Sequence, residues 1–264
     1  MKLVGTLSRA SFHWCRRGLT LIELVVVLAI LMALAGIVLG SIPALLRQTS
    51  AATAGAGAAE VNAAMQYYRT LKGRFPDGYD SLLEAPYTLL KTLPKGSLHQ
   101  LKPKDLDNAD RPFLAAVGIR TTWQHDPTND ASGVTFRPLT SLKTFDSTLG
   151  GVASDDVAAL DTTRIDVDDL FGPGTKKGGI NEIFAVFGLG PKCTLVGADG
   201  GILAAPVTFN ASPGTNPMDV YQRYGLVFRL DRDEGRPARF LGTVIFDSDG
   251  IKTSGQKAHE WFAR

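Results

Sequence analysis

The sequence predicts an α+β protein in which a long amino-terminal α-helix, its first half transmembrane, packs on an antiparallel β-sheet. Three observations carry that prediction. Between Leu24 and Leu46 there is no charged side chain, and Arg47 closes the run. Val61, Ala64, Met65, Tyr68 and Leu71 then recur at three- and four-residue steps, which gives a helix one apolar face. Farther on, "EIFAVFGLG", "ILAAPVTF", "YGLVFRL" and "FLGTVIF" are short, β-branched or aromatic, and bounded by Gly, Pro and Asp, as strands are. A helix and a sheet with one apolar face each bury those faces against one another.

Each element has its own warrant. The uncharged run, at 1.5 Å per helical residue, reaches roughly 34 Å and spans a ~30 Å hydrocarbon core with some tilt. Lys and Arg precede it, which places the amino terminus in the cytoplasm and the rest of the chain outside the inner membrane. Pro43 is expected to kink this helix rather than stop it. The following alanine-rich stretch favours helix, weakened locally by Gly55 and Gly57, so one helix is expected from about Leu19 to Lys72. Gly73 and Pro76 end it. In "YGLVFRL", Leu226, Phe228 and Leu230 share one face, as a half-buried strand requires. "DRDEGRPAR" reads as the loop of a hairpin. The middle, about 96–179, is rich in Pro, Asp, Thr and Gly and suggests loops and short elements. Seven aspartates between Asp146 and Asp169 face one basic residue, Arg164. A solvated loop is the plain account of them, and a partner- or calcium-binding insertion is the alternative.

Composition narrows the function classes. With 44% hydrophobic and 20% charged residues, the chain is built to fold. Its formal charge is +2, yet Lys2, Arg9, Arg16 and Arg17 alone contribute +4 before Gly18, so residues 19–264 carry −2. No nucleic-acid partner is expected from that balance. Of the two cysteines, Cys15 precedes the apolar run and Cys193 stands alone. Removal of the leader leaves no intramolecular disulfide to form. "FHWC" also lacks the small residues that precede a lipidated cysteine.

The stretch "RRGLTLIEL" (residues 16–24) poses the functional question, because Glu23 stands at the entrance of a membrane-apolar run. A charge inside that run costs about 3 kcal/mol on insertion scales and calls for a partner or a purpose. Three readings compete. One is a simple signal anchor with Glu23 near the headgroups. Another is a secretory signal peptide cut near Ala33 and Ala35, before Gly36, although the apolar run continues well past that point. The third starts from the order basic leader, Gly18, hydrophobic Leu19, and Glu23 fifth from the cut. In these features the segment resembles type IV prepilins and type II secretion pseudopilins. In that family a dedicated prepilin peptidase cuts after the glycine and the new terminal amine is N-methylated.

The resemblance implies the following. Cleavage falls between Gly18 and Leu19, and Leu19 is N-methylated. Glu23 serves assembly, either by pairing with its own amino terminus or by meeting the Leu19 amine of a neighbouring subunit in an apolar bundle. Because a carboxylate in the wrong register stays unpaired, such a pair sets subunit spacing. "YYRTLKGRFPDGYDSLL" adds a second resemblance, to major pseudopilins, which leave the long helix through a tyrosine and a Gly-Arg-aromatic-Pro turn into a short helix. Tyr68, Gly73, Arg74, Phe75 and Pro76 match, with Leu82 and Leu83 in the short helix. The expected organisation is leader 1–18, transmembrane and assembly half 19–46, amphipathic half 47–74, and a periplasmic α+β domain 75–264 with a loop-rich insertion at 96–179. The implied partners are homologous pilin subunits, the prepilin peptidase, an inner-membrane assembly platform, and lipid before assembly.

Chemistry beyond assembly is thin. Major pseudopilins often carry calcium, and "GADGG" (197–201) and "FDSDG" (246–250) are Asp-Gly turns that offer oxygens. Asp199, Asp247 and Asp249 are the candidate calcium ligands, although no aspartate follows Gly201 where the family supplies one. There is no G-x-S-x-G elbow, and His13, His99, His125 and His259 lie far apart, so no enzyme is expected. "GPGTKKGG" (172–179) is glycine-rich and basic but lacks the spacing of a phosphate-binding loop, which leaves a mobile loop. Trp123 and Trp261 read as core or interface residues. The expected function is a structural filament subunit. The alternatives are a minor pilin that binds DNA, a surface or secreted cargo, and a periplasmic protein, anchored or secreted, that does not assemble.

Overall fold

The computed structural model describes residues 20–84, 88–106, 110–125, 139–144, 156–179, 181–208 and 220–262. Helix α1 runs over Leu21–Lys72 and continues through Pro43. By its internal contacts the chain divides into two units, residues 1–45 and 46–264.

Within the second unit, α1 presents Ala54, Ala58, Val61, Met65 and Tyr68 as a buried stripe. The spacing of four, three, four and three residues is that of one helix face. The stripe begins two turns earlier than the apolar periodicity alone suggested. It also ends sooner, because Leu71, expected on this face, is 61% exposed. Gly73, at φ +70°, closes the helix with its N–H on the Arg69 carbonyl at 2.9 Å, the left-handed stop that favours glycine. Phe75 then turns inward and meets Phe228 edge-on, with ring centres 5.3 Å apart.

The stripe rests on a sheet whose main path runs β10 (Gly250–Thr253), β9 (Arg239–Asp247), β8 (Tyr224–Asp231), β7 (Glu182–Gly188), β1 (Tyr79–Glu84), β4 (Thr121–His125) and β5 (Leu139–Thr144). β2 (Thr88–Leu89) pairs with β1, while β3 (Leu101–Asp105) pairs with β6 (Asp156–Leu160), which joins β7. The pairings are antiparallel except that of β1 with β4, which is parallel. Four short helices complete the chain: α2 (Lys95–His99), α3 (Arg111–Ala115), α4 (Val167–Phe171) and α5 (Ser254–Phe262). Leu226, Phe228 and Leu230 do share one face and pack with the α1 stripe, but Val227 is equally buried on the other face. β8 is therefore covered on both sides rather than half-buried. Residues 232–238 form the expected loop between β8 and β9.

Three expectations are corrected. Leu82 and Leu83 lie in strand β1, not in a short helix, and all six residues of that strand are buried. β1 sits between β7 and β4, and its Asp80 accepts hydrogen bonds from Tyr221 at 2.8 Å and Arg223 at 3.1 Å. Leu82 takes φ +58° where the β1–β4 register slips, so a bulge breaks the periodicity a strand would show. "ILAAPVTF" is not a strand. It makes two isolated bridges, Val196 with Ile202 and Val207 with Arg223, and Pro206 removes a ladder donor between them. The stretch 96–179 contributes four strands, β3 to β6, in place of loops alone. Asp146 and Asp155, two of its seven aspartates, lie outside the described residues.

Two polar contacts fix where α1 sits along the sheet. The Asn62 side-chain oxygen accepts from both the backbone N–H and the hydroxyl of Thr243, each at 2.8 Å. Tyr224 donates to the Ala54 carbonyl at 3.1 Å, and its hydroxyl occupies the space that a side chain on Gly57 would need, 2.1 Å from an added Cβ. Gly57→Ala is therefore expected to cost about 1–3 kcal/mol through overpacking. Combining it with Tyr224→Phe, which removes that hydroxyl, should recover part of the loss. Thermal unfolding of the two variants and their combination checks this.

Candidate functional site

The segment with the sharpest functional pattern is Gly18–Glu23. Gly18 and Leu19 lie outside the described residues. From Thr20 onward the geometry is specific. The Thr20 backbone N–H donates to Glu23 Oε2 at 2.8 Å, and the Thr20 hydroxyl donates to the same oxygen at 3.0 Å. In return the Glu23 N–H reaches the Thr20 hydroxyl oxygen at 3.3 Å. This is a reciprocal capping box: a threonine immediately before the helix and a glutamate three residues on satisfy each other's end groups. "T-L-I-E" spells that box, so the signal was present in the sequence. The attention drawn by an intramembrane charge had pointed to an amine instead. In the uncut chain Leu19 bears a peptide nitrogen, and Glu23 is occupied by the helix end.

After Glu23 the side chains find little cover within their own chain. Each large apolar residue described from Leu21 to Leu34 is at least 44% exposed. An unbroken apolar surface of that extent marks contact with lipid or with other protein. Among the described residues, no helix is long and apolar enough to cross a membrane. The transmembrane expectation thus rests on the sequence alone.

The other candidates are separated. Asp247 is tied to Lys257 and, at 3.5 Å, to Lys252, while Asp249 meets Lys252 at 2.6 Å. Burial pushes the Asp247 carboxyl up, but Lys257, the Ser248 N–H and Lys252 together hold it below the usual carboxylate range. Asp199 is exposed on its own turn. Among the described residues, no group of three or more His, Cys, Asp or Glu side chains converges as a metal site would require, and these three aspartates do not. His99 lies beside Arg164, whereas His125 stands on β4 and His259 on α5. His13 is outside the described residues. Cys193 is buried, and burial pushes its thiol far up, so it offers no thiolate. Trp123 carries the Lys192 ammonium over its ring at 5.7 Å; Trp261 lies on α5.

The glycine-rich loop holds an anion of its own. Asp168 of α4 accepts the Lys176 backbone N–H at 2.8 Å, with Gly174 and Thr175 also turned toward it, and these bonds draw its pKa down. Gly172 and Gly174, at φ +101° and +79°, allow that wrap. A carboxylate from the chain thus fills the place a phosphate would take.

Removing the cap isolates its role. Thr20→Ala is expected to cost about 1 kcal/mol of local helix stability. It should show as faster amide hydrogen exchange confined to residues 21–24 of the full chain, with Thr20→Ser close to the parent.

Comparison with known families supports the first of the three readings of this segment that involve processing. The chain matches no curated protein and no solved structure. Residues 15–39, which contain Gly18, Leu19, the Thr20–Glu23 box and the start of the exposed apolar surface, match the prokaryotic N-terminal methylation motif and so support a type IV pilin-like protein.

Proposed function

We propose that this chain is a structural, non-enzymatic subunit of a type II secretion pseudopilus or type IV pilus-like filament. Prepilin peptidase cuts it after Gly18, Leu19 is N-methylated, and the apolar helix carries it from the inner membrane into the filament. The observation that carries this reading is the methylation motif over residues 15–39, continuous with apolar side chains that nothing in the chain covers. On this reading the carboxyl-terminal domain lies in the periplasm, and the partners are other pilin subunits, the peptidase and an assembly platform. The resemblance of "YYRTLKGRFPDG" to major pseudopilins favours secretion over the other filament systems. A minor pilin acting as a binding module is the second reading, favoured by the four strands that 96–179 adds to the sheet.

The capping box gives Glu23 two successive partners. Before cleavage it holds Thr20. Once Leu19 has a free, cationic amine, the carboxylate gains a charged partner, on its own chain or a neighbour's. Leaving the cap costs about 1 kcal/mol. A carboxylate left unpaired in an apolar bundle costs about 3–5 kcal/mol, so the charge pair wins once the helix is enclosed. Glu23→Ala is accordingly expected to leave peptidase cleavage intact, read as the usual mobility shift, while abolishing incorporation into sheared filaments. Glu23→Ala subunits entering filaments at the parent level would contradict the assignment.

A further inference from the structure

The sheet face opposite the α1 stripe carries a cleft that filament assembly does not use. It lies between the turn after α4 and the β8–β9 pair, has a volume of about 310 Å3, and is lined by Phe171, Pro173, Thr175, Leu241, Arg229 and Arg239. We propose that this cleft binds a carboxylate carried on an apolar body, held by Arg229 and Arg239.

The two arginines stand directly opposite one another in the β8–β9 register. Like charges in that position destabilise a strand pair unless an anion intervenes. Arg229 is answered from within: its Nε donates to Glu182, its Nη2 donates to Asp231 at 2.5 Å, and its side chain is only 5% exposed. Its Nη1 makes no hydrogen bond among the described residues. Arg239 is exposed and has neither ion pair nor hydrogen bond among them. One buried guanidinium edge and one whole guanidinium therefore line the same cleft with N–H groups to spare.

The class of ligand follows from charge and shape. Glu182 and Asp231 already offset Arg229, so the cleft adds a single uncompensated positive charge and suits a monoanion better than a phosphate dianion. Paired planar N–H donors match the two oxygens of a carboxylate. The amides of the adjacent glycine-rich loop do not compete, since Asp168 occupies them. Phe171 and Leu241 supply the apolar wall. The Phe171 ring lies close on β9 because residue 242 is glycine, where an added Cβ would stand 3.3 Å from it.

The test is calorimetric titration of the full chain, in neutral detergent, with benzoate. Saturable one-to-one binding is expected, weakened at least ten-fold in Arg239→Gln and unchanged in Arg236→Gln, an arginine of the neighbouring 232–238 loop that does not line the cleft. Acetate, which lacks the apolar body, should bind at least ten-fold more weakly than benzoate, and inorganic phosphate should not displace benzoate. Absence of saturable benzoate binding, equal losses in the two arginine variants, or displacement by phosphate would each overturn the proposal. None of these outcomes bears on cleavage after Gly18 or on filament assembly.

Discussion

The seating of the second half of α1 on the sheet is the contact on which the rest of the domain depends. Its stripe brings Ala54, Ala58, Val61, Met65 and Tyr68 into one cluster with Phe75, Tyr79, Phe187, Phe228 and Phe240. Side chains of this size contribute roughly 1.5–3 kcal/mol each when fully buried, whereas a single polar contact contributes nearer 1 kcal/mol. Apolar burial therefore holds the helix down. The polar contacts decide where along the sheet it rests: Asn62 on Thr243, and Tyr224 over Gly57 onto the Ala54 carbonyl. Small residues at 54, 57 and 58 are what let a helix lie that close to β8 and β9.

The first half of the same helix obeys a different constraint. Its apolar side chains are exposed in the single chain, and its one charge, Glu23, is spent on the helix end. A segment of that kind is incomplete alone. On the proposed reading lipid completes it first and other subunits afterwards, and cleavage changes the partner offered to Glu23 from a peptide N–H to an ammonium group. The capping box and the assembly contact then use one carboxylate in sequence, which explains why a glutamate stands where a membrane segment would otherwise carry none.

Much of this was legible in the chain. The long helix, its glycine stop, the strands of residues 182–188, 224–231 and 239–247, and the processing pattern all follow from local periodicity and spacing, which a sequence displays directly. What escaped depends on tertiary context. Strand β1 was hidden because a bulge at Leu82 breaks its alternation and its position between two strands buries both faces. The strands of 96–179 read as loops because their polar residues pair at a distance, as Lys102 does with Asp161. Arg229 and Arg239, ten residues apart, become neighbours only when β8 and β9 pair. The capping box was the opposite case: it was written in four consecutive residues and passed over for a more dramatic role.

The central claim is that residues 15–39 direct processing and assembly, and the mature amino terminus tests it most directly. Mass spectrometry of the amino-terminal peptide from the native host should find a chain beginning at Leu19 with a methyl group on its α-amine. A chain beginning at Gly36, or one still carrying Met1, would contradict the account and return Glu23 to the single role of capping a helix.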